Sequence, residues 1–244
     1  MTFDQSEYDI RCEWGEQGVR RLAPTSDVLI IIDVLSFSTS LEIAASRGAS
    51  VFPYRWKDET AHAFASSVHA EVADRDNPYG FSLSPTSLLK LPTGARLVLP
   101  SPNGSTLSLS AGSTPTLAGC LRNCRAVAES ALRKGRRVAL APAGERWEDG
   151  TLRPCLEDLI GAGAIIRFLT GRLSPEAASA LAVFEDARPT LFERLKRCGS
   201  GKEKLERNEE NDIRLAAELD VSSSVPVLLG GAFQKEASTA FPER

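Results

Sequence analysis

A carboxylate and a cluster of hydroxyl groups follow the most hydrophobic segment of the chain. Residues 28–32 are five consecutive aliphatic residues, Asp33 comes next, and Ser36, Ser38, Thr39 and Ser40 follow it. An unbroken aliphatic run is typical of a strand that is covered on both faces. Burial disfavours a charged carboxylate unless a cation or several hydrogen-bond donors lie beside it. Asp33 is therefore either an acceptor for the start of the next helix, or a metal ligand or nucleophile.

Two other predicted strands also end in polar segments. Residues 96–100 run into Asn103, Gly104, Ser105 and Thr106, and residues 137–141 precede a mixed acid–base loop that contains Glu145 and Arg146. Ligands of open parallel sheets bind beyond the carboxyl ends of the strands. Free backbone N–H groups at the Asn-Gly turn would suit a phosphate, although Asn-Gly is also an ordinary turn and serine an ordinary helix cap.

A pair of acids opens a predicted helix further along the chain. Glu157 and Asp158 are followed by the small residues Gly161, Ala162 and Gly163. Acids in a first helical turn are stabilised by the helix dipole, which is one explanation for them. Mg²⁺ prefers one or two carboxylates together with water and substrate oxygens. A second source of carboxylates beside Asp33 would complete such a site.

The elements that must position these residues alternate along the chain. Apolar runs predict strands, helical periodicity predicts helices between them, and two polar stretches, 74–92 and 198–211, are expected to be loops or solvated faces. The strands are predicted at 28–32, 49–54, 96–100, 137–141 and 225–229, and the helices at 38–47, 58–73, 125–134, 156–169, 175–186 and 209–219. This order predicts an α/β fold of three α/β/α layers, Rossmann-like, with a largely parallel sheet. A single domain over residues 1–244 is expected, and a division into two lobes near residues 85–120 stays open.

Composition limits the classes of partner. The net charge is −3, with 25% charged and 42% hydrophobic residues, and the basic side chains are interleaved with acids. A nucleic-acid surface would need a patch of one sign, so we expect no such partner. No apolar run approaches the roughly 20 residues that span a bilayer, and the polar, acidic N-terminus does not resemble a signal peptide. We therefore expect a cytoplasmic protein with reduced thiols in its five cysteines.

Several enzyme classes fit the sequence poorly. The two histidines, His62 and His69, are seven residues apart beside the apolar stripe of a predicted helix, and we do not expect them to be catalytic. A serine-triad hydrolase would need such a base. The chain has no P-loop motif, and the hydroxyl-rich segment after the first long strand is not the glycine-rich turn of a nicotinamide-dependent oxidoreductase.

Taken in order, these segments resemble the 2-phosphosulfolactate phosphatase family, magnesium-dependent enzymes of coenzyme M biosynthesis. The resemblance covers about residues 5 to 230 and consists of weak motifs in a fixed order. The segment from Asp33 to Thr39 is similar to the family's DVLRAST, and Pro102 to Ser105 to its TTNGT. The other similar segments are Gly48-Ala49 with Tyr54, Gly80 to Pro85 (GxxxGNSP), Leu121 to Asn123 (SFLN), Ala143-Gly144 (CAG), Glu157 to Gly163 (EDxxxAG), Asn211-Asp212 and Val225-Pro226.

The resemblance implies hydrolysis of a small anionic phosphoester with Mg²⁺ as cofactor. Asp33 would attack phosphorus or bind the metal, and Glu157 and Asp158 would hold the metal. The expected substrate contacts fall into two groups. The phosphate would be bound by Ser36, Ser38, Thr39, Ser84, Asn103, Gly104 and Ser105, and the acid end of the substrate by Arg122, Asn123 and Arg146. A homodimer is plausible for such a fold.

The chain departs from the family pattern where anions would be recognised. Ser36 stands at the family's arginine, Leu83 at an asparagine, and Ser101 and Pro102 at two threonines. A charge-assisted contact from arginine is roughly twice as strong as a neutral hydrogen bond. A diverged, non-catalytic binder of phosphorylated metabolites is therefore the alternative function.

Overall fold

A computed structural model describes residues 3–76 and 80–237 of the chain. The described residues contain eleven strands, of which nine form one sheet and two form a separate hairpin. The strands are β1 (Ile10–Cys12), β2 (Val28–Ile32), β3 (Ser50–Tyr54), β4 (Glu71–Val72), β5 (Arg96–Pro100), β6 (Thr116–Gly119), β7 (Val138–Pro142), β8 (Glu145–Arg146), β9 (Leu152–Arg153), β10 (Pro226–Leu229) and β11 (Ala232–Lys235).

The α-helices connect and cover these strands. They are α1 (Gly15–Leu22), α2 (Phe37–Ser46), α3 (Thr60–Ser67), α4 (Pro85–Leu88), α5 (Gly104–Leu109), α6 (Cys124–Lys134), α7 (Leu156–Ile166), α8 (Pro175–Ala187), α9 (Leu191–Arg197), α10 (Gly199–Glu206) and α11 (Glu210–Ala217), with 3₁₀ turns at Ala23–Thr25 and Arg188–Thr190. All five predicted strands are confirmed to within one residue at each end.

Most predicted helices are also confirmed, but two segments differ. The helix predicted over 58–73 is wrong in its second half, because α3 ends at Ser67 and β4 follows as a strand. His69 lies between them with a positive φ of 50°, which is incompatible with a continuing helix. The charged stretch 198–211, expected as a loop or a solvated helix face, contains α10. Of the other predicted loop, 74–92, residues 77–79 lie outside the described residues.

The sheet consists of two parallel groups of strands joined by an antiparallel hairpin. Its order is β1-β7-β2-β6-β10-β11-β3-β5-β4. Strands β1, β7, β2 and β6 pair in parallel, as do β3, β5 and β4, whereas β10 and β11 are antiparallel to their neighbours and to each other. The predicted α/β fold with a mostly parallel sheet flanked by helices is confirmed. The division into two lobes stays a prediction.

Alternate side chains of β2 pack on opposite faces of the sheet. Val28, Ile30 and Ile32 belong to the core formed with α6, α7 and α8, whereas Leu29 and Ile31 belong to the core formed with α1 and α5. All five residues are fully buried. This explains the unbroken aliphatic run, because a strand covered on both faces has no polar side.

One hydrogen bond links the segment after β2 to the segment after β5, although these strands belong to different parallel groups. The three reversals of direction between β6 and β3 make the two groups run in opposite senses. The backbone N–H of Gly104, beyond β5, nevertheless donates to the Asp33 carboxylate, beyond β2, at 3.1 Å. This contact places the two polar strand ends in one site.

Two further expectations concern the whole chain. All five cysteines are free and buried, as the expectation of reduced thiols requires. Within residues 3–76 and 80–237, no helix is long and apolar enough to cross a membrane.

Candidate active site

Asp33 is held by two backbone donors from different elements. Its Oδ1 accepts from the N–H of Phe37, at the start of α2, at 3.1 Å, and its Oδ2 accepts from Gly104. The Ser38 hydroxyl bonds to the backbone of Asp33 rather than to its carboxylate, donating to the carbonyl at 2.8 Å. The side chain is therefore fixed in direction, and it is 8% exposed.

The environment of Asp33 raises its pKa. Burial is the main cause, and the neighbouring carboxylates of Glu145 and Glu157 add to it, while the two backbone N–H groups act in the opposite sense. The resulting pKa is about 6. Asp33 is thus mainly ionised at neutral pH but at a cost, which a nearby cation would reduce.

Asp158 ties helix α7 to two strand ends. Its Oδ1 accepts from the N–H of Val34 at 2.8 Å, and its Oδ2 accepts from the N–H of Gly144 at 2.9 Å. Burial and the nearby Asp33 and Glu157 carboxylates raise the pKa of Asp158 well above its usual value. Asp158 therefore positions the segments after β2 and β7, and it contributes negative charge to the site.

Glu157 is the less constrained member of the acidic pair. Its side chain is 3% exposed, and among the described residues no hydrogen bond donated by a backbone N–H or a cationic side chain reaches its carboxylate. It lies close to Cys198, and together with burial it raises the pKa of that thiol. A buried carboxylate without such donors needs a cation as its partner.

The hydroxyl groups after β2 have different surroundings. Ser38 and Thr39 are fully buried, and their hydroxyls donate to the carbonyls of Asp33 and Val34 at 2.8 Å. Ser36 lines a pocket beside Asp33, is 4% exposed, and its Oγ has no hydrogen-bond partner among the described residues. Ser36 is therefore the hydroxyl of this cluster that is available to a ligand.

The turn after β5 brings a further acid to the site. Asn103 donates through Nδ2 to Oε1 of Glu145 at 2.7 Å, and Glu145 lines the same pocket as Ser36. The Ser105 hydroxyl donates away from the site, to the carbonyl of Leu99 at 3.0 Å. Asn103 therefore positions Glu145, and Gly104 positions Asp33.

The pocket has a volume of about 550 Å³ and is rich in charged groups. Four basic side chains line it together with acids from the same elements. The basic side chains are Lys57, Arg75, Lys204 and Arg207, and the acids are Asp58, Glu59, Asp74, Asp76, Glu145 and Glu203. A pocket of this size holds a small molecule, and charged groups of both signs suit a polar one.

Two predicted contacts for the acid end of the substrate have structural partners instead. Arg122 forms ion pairs with the buried Glu42, at 2.5 Å, and with Glu218. Asn123 is fully buried, accepts from the N–H of Cys120 and donates to the carbonyl of Ser224, both at 2.9 Å. Neither residue lines the pocket, so their contact with a substrate stays a prediction.

Two other predicted contacts lie near the pocket without lining it. Arg146 is exposed on the β8–β9 hairpin, where its guanidinium donates to the carbonyl of Gly150 at 3.0 Å. Ser84 donates to Asp212 at 2.6 Å, and Asp212 also forms a 2.8 Å ion pair with Lys204 of the pocket wall. Of the predicted site residues that the structure describes, only Ser36 lines the pocket. Hydrogen bonds and the mutual repulsion of carboxylates show that Asp33, Gly104, Glu157 and Asp158 lie together, and Asn103 reaches the pocket through Glu145.

The sequence reasoning missed the basic pocket residues, and it noted Glu145 only as part of an acid–base loop without assigning it to the site. Lys57 follows β3 by three residues, and Glu145 begins β8 shortly after β7. Both positions follow carboxyl ends of strands, which is the signal that singled out Asp33 and could have found them. Arg207 lies beyond α10, in a stretch expected to be solvated, so no local signal marked it.

The raised pKa of Asp33 has a consequence for stability. Because the folded-state pKa of about 6 exceeds the unfolded value of 3.8, the folded form binds the proton more tightly, and its stability falls as the pH rises through 6. We expect this group alone to lower the free energy of unfolding by about 1.4 kcal/mol between pH 5 and pH 7.5, or about 3–5 °C in Tm. Thermal unfolding of the metal-free protein at both pH values measures it.

The Asp33→Asn variant provides the control for that experiment. In this variant, the free energy of unfolding should change by about 1.4 kcal/mol less between pH 5 and pH 7.5 than in the wild type. The histidines and surface acids contribute equally to the change in both proteins. A variant with the same change in Tm between pH 5 and pH 7.5 as the wild type would contradict the assignment.

Comparison with known proteins identifies the class to which this site belongs, a phosphatase of α/β architecture. The family model described as 2-phosphosulpholactate phosphatase matches residues 18–231. The 2-phosphosulfolactate phosphatase of Methanothermobacter thermautotrophicus is 25% identical over 211 residues, which cover 86% of this chain and 90% of that protein. The probable 2-phosphosulfolactate phosphatase of Gloeobacter violaceus is 27% identical over 212 residues, covering 83% and 88%.

The match spans most of the chain, including every residue of the site described above. The chain belongs to the 2-phosphosulfolactate phosphatase family. The resemblance read from the short motifs is thereby confirmed.

Proposed function

We propose that the protein is a magnesium-dependent phosphatase that hydrolyses the phosphate monoester of 2-phosphosulfolactate or a closely related 2-phospho-hydroxy acid. The observation that carries the proposal is the Asp33 carboxylate, oriented by the Phe37 and Gly104 N–H groups beside the unpartnered hydroxyl of Ser36. The relatives' names and the family support the reaction and the substrate class.

The acids of the site favour a divalent cation. A phosphate dianion would be repelled by Asp33, Glu145, Glu157 and Asp158. Burial and the neighbouring carboxylates already raise the pKa values of Asp33 and Asp158. Among the described residues, no three side chains of His, Cys, Asp or Glu lie together as a complete ligand set. Mg²⁺ does not require one, because it binds through one or two carboxylates, waters and phosphate oxygens. Asp33 and Glu157 are the best candidates to hold it, with Asp158 behind them.

A bound Mg²⁺ would supply neutralisation of the phosphate charge. The protein's own groups would orient the reaction. One Asp33 oxygen would attack phosphorus and form an aspartyl phosphate as the ester P–O bond breaks, and the leaving alkoxide would take a proton from water. A water molecule would then hydrolyse the aspartyl phosphate, which releases inorganic phosphate and restores the Asp33 carboxylate. The Ser36 hydroxyl would donate to a phosphate oxygen, in keeping with the mainly electrostatic stabilisation of phosphoryl transfer. If water attacks instead, Asp33 would bind the metal, and the other roles are unchanged.

The alternative is a diverged binder that keeps the pocket without the chemistry. The observation in its favour is Ser36, which replaces the arginine of the family motif. The retained carboxylates oppose it, because they lower anion affinity unless a metal is bound.

Phosphate release tests the proposal directly. We expect turnover of 2-phosphosulfolactate, and slower turnover of 2-phospholactate and phosphoglycolate, with Mg²⁺ present. EDTA should abolish all three reactions. Absence of turnover on every substrate, with thermal stabilisation by the same compounds intact, would refute the enzyme and support the binder.

A further inference from the structure

Lys57 lies among charges of both signs in the active-site pocket. It lines the pocket together with Glu145, Arg75 and Arg207. Desolvation in the pocket wall lowers the pKa of Lys57, and Arg75 and Arg207 lower it further, while Glu145 and Asp33 act in the opposite sense.

Lys57 differs from the other basic groups of the pocket in its partners. Arg75 forms an ion pair with Glu209 at 3.0 Å, Lys204 with Asp212 at 2.8 Å, and Arg207 with Glu203 at 3.8 Å. No ion pair within 4.0 Å and no hydrogen bond involves the Lys57 ammonium among residues 3–76 and 80–237. A basic group in a pocket wall without a protein partner is available to a ligand anion.

Ser36 lines the same pocket as Lys57 and is neutral. Among the described basic groups of the pocket wall, Lys57 is the one that has no ion pair, so its charge is the one available to a second anionic group of a substrate. A lysine contributes a compact charge with three donors and can bind a carboxylate or a sulfonate without the fixed geometry of a guanidinium.

We propose that Lys57 determines substrate specificity by binding the second anionic group of the substrate, the carboxylate or sulfonate next to the phosphoester carbon. The inference rests on the proposed phosphatase function for its catalytic consequence but not for the binding itself. The site thus prefers phosphoesters that carry a second anion over simple monoesters. Arg75 and Arg207 remain in ion pairs with Glu209 and Glu203, so they attract the substrate only at a distance and do not bind its second anionic group.

The experiment compares Lys57→Met, Lys57→Arg and the control Lys90→Met with the wild type. Lys90 is exposed and does not line the pocket. Steady-state kinetics with Mg²⁺ use 2-phosphosulfolactate and phenyl phosphate, which lacks a second anion. Calorimetry with sulfolactate, which has no phosphate, measures binding without any turnover.

Lys57→Met should lower kcat/KM for 2-phosphosulfolactate by about 10- to 100-fold, mainly through KM, and weaken sulfolactate binding by a similar factor. In Lys57→Met, kcat/KM for phenyl phosphate should change less than about threefold. Lys57→Arg should recover most of the kcat/KM that Lys57→Met loses on 2-phosphosulfolactate. Lys90→Met should match the wild type on both substrates. Equal losses on both substrates would show a general catalytic or structural role and overturn the specificity assignment. So would unchanged sulfolactate binding in Lys57→Met. A wild type without turnover would instead refute the phosphatase, and weakened sulfolactate binding in Lys57→Met would still support the role of Lys57.

Discussion

Replacing Asp33 with asparagine should reduce phosphate release at least about a thousandfold, with the fold retained. Asparagine has nearly the same size and keeps one oxygen for the N–H of Phe37 or Gly104, but it can neither attack phosphorus nor balance a bound cation. Losses of this size are usual when a group that acts directly on the reacting atoms is removed. The loss of rate is measured as phosphate release at saturating substrate and Mg²⁺. Circular dichroism of both proteins shows whether the fold is retained.

The matched control lies at the other end of the same strand. Asp27 precedes β2, is partly exposed and forms a 2.7 Å ion pair with Arg137, about one strand length from Asp33. Asp27→Asn should keep nearly full activity. If Asp33→Asn retained more than a tenth of the wild-type rate, the central role of Asp33 would be refuted. A radiolabelled phosphoprotein that survives acid quenching in the wild type would favour direct attack by Asp33.

Replacing Gly104 with alanine should impair both stability and activity. A Cβ at this position would lie 2.2 Å from one Phe37 ring carbon and 2.5 Å from another, well inside van der Waals contact. Phe37 cannot move away easily, because it is fully buried and packs edge-on against Phe233. The turn must therefore shift and take its N–H away from Asp33.

We expect Gly104→Ala to lower the free energy of unfolding by about 1–3 kcal/mol, the usual cost of overpacking. Activity should fall about a hundredfold, because a displacement of about 1 Å near reacting groups has effects of that order. Chemical denaturation and phosphate release measure the two effects.

Gly94→Ala is the control, because its Cβ would meet nothing within 4 Å. It should cost stability only through its positive φ of 77° and leave the rate unchanged. Full activity in Gly104→Ala would show that the Gly104–Asp33 contact is dispensable.

Both experiments address one arrangement, in which Asp33 receives donors from two elements and is surrounded by further acids. The arrangement stores unfavourable electrostatic energy at neutral pH, as the raised pKa values of Asp33 and Asp158 show. Such energy is characteristic of sites built for a ligand rather than for stability. A cation and an anionic substrate, bound together, would remove it.

The sequence by itself determined five of the eleven strands in the described residues, the fold class, the family and the position of Asp33. These follow from local patterns, because an aliphatic run buries both faces of a strand and a polar residue after it marks the strand's end. The segment 58–73 shows the limit of that reasoning. Its apolar spacing fits a helix throughout, but pairing of β4 with β5 ends the helix at Ser67.

Only the tertiary structure decided which polar groups face the substrate pocket. Ser38, Thr39 and Arg122 have the right chemistry in sequence, but the fold uses their hydrogen-bonding groups internally. Lys57 and Glu145 come together from opposite parallel groups of the sheet, and Gly104 reaches Asp33 across 71 residues of chain. Contacts between such distant segments depend on how the hairpin of β10 and β11 joins the two groups of strands. No local pattern of residues encodes that geometry.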